Sequence, residues 1–177
     1  MGYVAPMARP VDIVERLCSL GHERLAESLA LLHPDAEFVP DPHGSPMRGH
    51  VEIRDYVARE IRRLGTPLPE AIILTLTEAG DRVLVYGQLR LARGGADRSH
   101  VEVRPIAWVY EVDGDRVSRV TVYPDFEQAR EAAGVAPETA PTRRLHDGWL
   151  LSSVYRRLAA RPGAIARRWP SRLPLTT

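Results

Sequence analysis

Lysine is absent from this sequence: all 24 basic side chains are arginine. Arginine is the better bidentate phosphate ligand, so the bias could be taken for nucleic-acid binding. The formal net charge of +1 argues against it, because no global positive field is there to attract a polyanion. Cysteine is almost absent as well. A lone Cys18 excludes an internal disulfide framework and suits a reducing cytoplasm, which is the expected location. No stretch approaches the roughly 20 consecutive apolar residues that a membrane-spanning helix needs. The segment from Met1 to Pro10 has no apolar run and carries only Arg9, unlike a secretory signal. The chain also lacks a P-loop, a dinucleotide-binding glycine motif, a nucleophile elbow and a zinc-protease helix, so no cofactor is expected.

What is present is a chain of 177 residues, enough for one domain with a real core and short for two. Its charge is unevenly spread. Residues 1–137 hold 16 arginines against 21 acids, whereas residues 138–177 hold 8 arginines against 2 acids. An acidic body thus carries a basic tail. The division is expected at residues 1–136 for the folded domain and 137–177 for an amphipathic, helical C-terminal extension, with Pro137 to Thr142 as linker.

Apolar spacing predicts helices over Pro10 to Leu20, Glu23 to Leu32 and Gly49 to Leu64, the last through Ile53, Tyr56, Val57, Ile61 and Leu64. A short strand is expected over Asp35 to Val39. The Pro40 to Pro46 run must be a loop, since proline cannot supply ladder donors. After Pro69 the period changes to two. Ala71 to Thr77, Arg82 to Leu91, His100 to Val112 and Arg116 to Tyr123 read as four strands joined by Gly- and Asp-containing turns, an antiparallel meander. A short helix over Asp125 to Ala133 ends at Gly134, and Asp147 to Ala160 forms a last amphipathic helix. The expected class is α+β: a cone-shaped, curved antiparallel sheet wrapped around N-terminal helices, leaving a pocket at one end. Apolar residues at both parities of Val83 to Leu91 and Val101 to Val112 exceed what one face can bury, which suggests a homodimer.

Two runs carry a family resemblance. "LHPDAEFVPDPHGSPMRGHVEIRDYV", Leu32 to Val57, resembles the acidic strand start, proline loop and helix entry of SnoaL-like proteins and ketosteroid isomerases. "AWVYEVDGDRVSRVTVYPDFEQAREAAGV" resembles their last hairpin and closing helix. The resemblance spans roughly residues 10–135 and implies the nuclear transport factor 2-like fold. The superfamily hosts isomerases, cyclases, hydrolases, dehydratases and binding domains, so the fold does not fix the reaction. The resemblance places Asp41 near the general base of ketosteroid isomerases, after a one-residue shift, and Asp125 near an acid/base aspartate of SnoaL-like cyclases. The paired oxyanion donors of the isomerases have no match here. Arg16, Leu17 and Cys18 stand where a tyrosine is expected, and Trp108 stands where an acid is expected.

Each candidate has a plain structural alternative. Asp41, between two prolines, is either an acid/base carboxylate or a solvated Asx-turn residue. Asp125 is either a catalytic acid or a helix N-cap. His100 shares strand parity with Arg104, Trp108 and Tyr110 and is either a pocket base or a hairpin-end residue. Trp108 and Tyr110 are core or pocket wall; Tyr86 is a pocket donor or an edge tyrosine, and Tyr56 could add to the substrate-binding set from its helix. His33, Asp35, Asp41 and His43 match no known ligand signature, so no metal is expected. Three uses are open to the basic extension: docking on its own domain or a dimer mate, membrane or acidic-partner contact, or none. The expected activity is cofactor-independent acid/base chemistry on a small hydrophobic molecule; the alternative is a non-catalytic ligand-binding or dimerisation module.

Overall fold

The computed structural model describes residues 8–20, 24–64, 70–93 and 100–145, without the side chains of residues 61, 63, 64, 70, 91–93 and 100–102. The helix expected at Asp147 to Ala160, and with it the membrane-contact reading, lies outside the described residues. Among the described residues no helix is long and apolar enough to cross a membrane.

The chain runs α1 (Pro10–Leu20), α2 (Leu25–Ala30), β1 (Leu32–Val39), β2 (Met47–Arg48), α3 (Gly49–Leu64), β3 (Glu70–Ala79), β4 (Arg82–Arg93), β5 (His100–Asp113), β6 (Arg116–Tyr123), α4 (Phe126–Ala133) and β7 (Arg143–Arg144). The fold is the expected α+β cone: helices packed against a large, curved, unclosed sheet of order β2-β1-β6-β5-β4-β3-β7. Two details differ from the sequence reading. The second helix is shorter, because the chain turns at Leu31 and enters β1 at Leu32. Pro34 is tolerated in that strand because the ladder to β6 is interrupted between Leu32 and Glu37, where no proline donor is required. The sheet is also mixed. β1 pairs with β6 in parallel, whereas β3, β4, β5 and β6 form the expected antiparallel meander. Turn residues encode hairpins, and Gly80 and Gly114 take the positive φ these turns need. No turn encodes the partner of β1.

β4 is covered on both faces, so Val83, Leu84 and Val85 are all buried in succession. α1 covers one face with Val11 and Val14, both fully buried. On the other, Ala129, Ala133 and Val135 pack against Leu84, Ala107 and Val109. α4 thus covers part of the second apolar parity, around Leu84, Ala107 and Val109, while Val103 of the same parity stays exposed. The Asp125 side chain accepts from Gln128 N at the start of α4, and Gly134 ends the helix in the left-handed conformation.

From Thr142, the last residue of the segment read as a linker, the chain pairs with the body. Arg143 and Arg144 pair with Leu76 and Thr75 of β3, and Leu145 N donates to Leu74 O. Glu78 N donates to Thr142 Oγ1, and Arg143 bridges Asp12 and Glu15 of α1. One compact unit thus extends to Leu145.

Candidate functional site

Strand register resolves the concave face, the one that receives α1, into four rows. The innermost holds Glu78, Val83, Tyr110, Val120 and Phe38; the next holds Leu76, Val85, Trp108 and Val122. Beyond them come Ile73, Gly87 and Ile106, then Ala71, Leu89 and Arg104. Burial falls steadily along β5: Tyr110 and Trp108 are buried, Ile106 is half-buried and Arg104 is exposed. β3 repeats the gradient from Leu76 through Ile73 to Ala71. The concave face is packed at the Tyr110 end and exposed at Arg104, where Val103 and Pro105 on the opposite face are exposed too.

At the closed end, the Cys18 thiol donates to the Tyr110 hydroxyl at 3.9 Å. Burial pushes the Cys18 thiol up to about 12; the Tyr110 contact opposes this and Glu15 adds to it. Burial likewise holds the Tyr110 phenol well above its ordinary value, with Cys18 adding to the effect. Both groups are therefore protonated, and Cys18 is a half-buried thiol of low nucleophilicity. Glu78, the described carboxylate of these rows, lies at the same end and is ion-paired with Arg9 at 3.0 Å. Phe38 and Tyr56 meet at 5.5 Å between rings, which fixes α3 over β1.

Trp108 forms the floor of the open half. Its indole lies across Gly87: a Cβ there would stand 3.1 Å from Trp108 Cζ3 and 2.4 Å from Ile72 O. Sequence reading passed over Gly87, although an isolated glycine inside a strand is a signal of close backbone approach. Phe38 was missed too, because a short strand beside a proline loop shows no period long enough to assign its face.

Asp125, Asp41 and Tyr86 do not join this face, whereas His100 has the parity of Arg104 and Trp108 on β5. Asp125 is exposed, and its Oδ1 accepts from Gln128 N at 2.9 Å as a helix cap. Asp41 is exposed, and its Oδ1 accepts from His43 N at 2.9 Å in an Asx-turn. Tyr86 lies on the α4 side, opposite to Trp108, with its ring 5.0 Å from Phe126. His100 begins β5, and its side chain lies outside the described residues. His33 Nδ1 accepts from Asp35 N, and among the described residues no three His, Cys, Asp or Glu side chains gather as a metal site. A separate groove of about 590 Å³ runs between α2 and α3, lined by Leu25, Ala26, Leu29, Ala30, His50 and Arg54.

The concave face presents apolar side chains between Trp108 and Leu89. It presents no described carboxylate toward the open half. A family model described as a SnoaL-like domain matches residues 15–120. No curated protein is significantly similar to the chain. Among solved structures, the chain is similar to a nuclear transport factor 2-like protein of unknown function from Burkholderia pseudomallei, with 17% identity, a TM-score of 0.57, and 72% of this chain and 98% of that one covered. A putative SnoaL-like polyketide cyclase from Jannaschia sp. CCS1 is 16% identical with a TM-score of 0.56, covering 77% of this chain and 99% of that one. TerC, co-crystallised with polyporic acid, is 18% identical with a TM-score of 0.55, covering 71% and 98%. At these identities the likeness establishes the fold alone.

Proposed function

This chain belongs to the SnoaL-like domain family, a family of small-molecule pocket folds, and on that premise we propose that it binds a small hydrophobic molecule in the open half of its cone. The observation that carries this reading is the segregation of the candidates. Trp108, Ile106 and Leu89 share the concave face, while Asp41 and Asp125 are exposed and occupied with backbone amides. Apolar lining with few polar groups is the usual make-up of a ligand pocket. TerC, a structure of similar fold, is co-crystallised with polyporic acid. Neither aspartate is aimed into the cone, and His100, at the parity of Trp108, is the titratable candidate on that face. The apolar lining supports binding ahead of any turnover.

The test uses the full chain carrying Trp149→Phe and Trp169→Phe, so that Trp108 is the one remaining emitter. A panel of neutral one- to four-ring aromatics is titrated while its emission is followed. Saturable quenching is expected for part of the panel, with calorimetry showing weaker binding to Trp108→Leu. No saturation by any compound, or calorimetric affinity unchanged in Trp108→Leu, would overturn the proposal.

A further inference from the structure

We infer that the ligand of this cone is an amphipathic acid: an apolar body of about two rings carrying a carboxylate that is held at the mouth by Arg104. The inference rests on the binding function proposed above and adds the chemical class and orientation of the ligand. Arg104 occupies the concave parity of β5, four residues before Trp108 on the same face, and is exposed where the rows open. Its register partner is Leu89, which pairs in turn with Ala71, so the cation stands in an otherwise apolar row. The next row inward is Ile73, Gly87 and Ile106, without a charge, and Trp108 lies beyond it.

Four residues of strand cover about 13 Å. An apolar body roughly 10 Å long, laid from the Trp108 indole past Gly87 and Ile106, therefore brings a terminal carboxylate level with the guanidinium. The missing side chain at Gly87 lets the Trp108 ring approach β4, since a Cβ there would stand 3.1 Å from its Cζ3. A planar guanidinium matches a carboxylate with two parallel hydrogen bonds. Its five donors let it take a ligand oxygen alongside a neighbour within the protein. The polarity of the cone sets the orientation. An acid group at the inner end would sit between the protonated Tyr110 and Cys18 and beside Glu78, buried without a cation of its own, whereas at the mouth it stays hydrated and paired. The ligand enters ring first.

Biphenyl-4-carboxylate and biphenyl-4-carboxamide have the same shape and differ in charge, and both are titrated by calorimetry into the full chain at pH 7. The acid is expected to bind about five- to tenfold tighter than the amide, a margin in the range of partly exposed charge-assisted pairs. Arg104→Gln should erase the preference by weakening the acid more than the amide, whose carbonyl also accepts from the guanidinium, and Arg104→Lys should restore part of it. Raised salt should narrow the gap in the native chain. Equal affinity for the two compounds, or an acid preference that survives in Arg104→Gln, overturns the inference while leaving the hydrophobic pocket standing. Binding of neither compound, together with silence of the neutral aromatic panel, overturns the pocket itself.

Discussion

Cys18 on α1 and Tyr110 on β5 are 92 positions apart and meet at 3.9 Å, thiol to phenol. The contact seals the closed end of the cone and pins the first helix to the sheet. Its alkaline behaviour follows from the raised thiol value. Below about pH 9 both folded and unfolded chains keep the thiol proton, and the contribution to stability is constant. Between there and about 12 the unfolded chain releases the proton while the folded chain holds it, so stability falls as pH rises. Tyr110 adds to the fall above its ordinary value near 10. Urea melts from pH 7 to 10.5 should show the decline, with a shallower slope in Cys18→Ser. In the native state Cys18 should react with a thiol reagent at pH 8 more slowly than in the unfolded chain. Equal labelling rates for the two would contradict the raised thiol value.

Gly87→Ala should cost stability through overpacking. The new methyl meets Ile72 O and the Trp108 ring, and at least one must shift, at about 1–3 kcal/mol. If the ring is what moves, near-ultraviolet dichroism of Trp108 changes and aromatic ligands bind more weakly. Unchanged stability and affinity together would show that the indole does not depend on the missing Cβ.

The two aspartates make separable forecasts. Asp125→Asn should preserve the α4 cap, whereas Asp125→Ala should lose about 1 kcal/mol, because Asn caps as well as Asp and Ala does not cap. Ligand affinity should be unchanged in Asp125→Asn and in Asp41→Asn. A large loss of binding or of any measured turnover in either Asn variant, at wild-type stability, would return that carboxylate to the site.

Two truncations test where the body ends. Removing everything after Pro137 deletes β7, its Leu145 to Leu74 bond, the Thr142 acceptor of Glu78 N and the Arg143 pairs to α1. Stopping after Leu145 keeps them. The shorter form should be less stable than the longer by about 1–3 kcal/mol, since each net hydrogen bond contributes about 1 kcal/mol and the exposed pairs less. The longer form compared with the full chain measures what residues 146–177 add. Equal urea midpoints for the two truncations would mean that β7 is decoration.

Local rules alone determined much of this protein. The helical spacing of Pro10 to Leu20 and Gly49 to Leu64 foretold α1 and α3 at their observed bounds, and the glycines at 80 and 114 marked hairpins that are present. Asp125 and Gly134 bracket α4 as a capping pair would. These signals act within a few residues, which is the range over which backbone propensity and turn geometry operate. What the sequence left open was every choice between two faces. An alternating strand is symmetric about its own plane, and β4 is apolar on both sides, so Tyr86 and Trp108 looked equally placed to line a pocket. The contact of α1 with Tyr110, and the packing of α4 against Leu84 and Ala107, put Trp108 in the cone and Tyr86 against Phe126. The parallel pairing of β1 with β6 and the addition of β7 to β3 were equally invisible, because each joins segments some 65 or more residues apart. Those contacts are set by how whole layers bury their apolar faces, and only the assembled fold decides them.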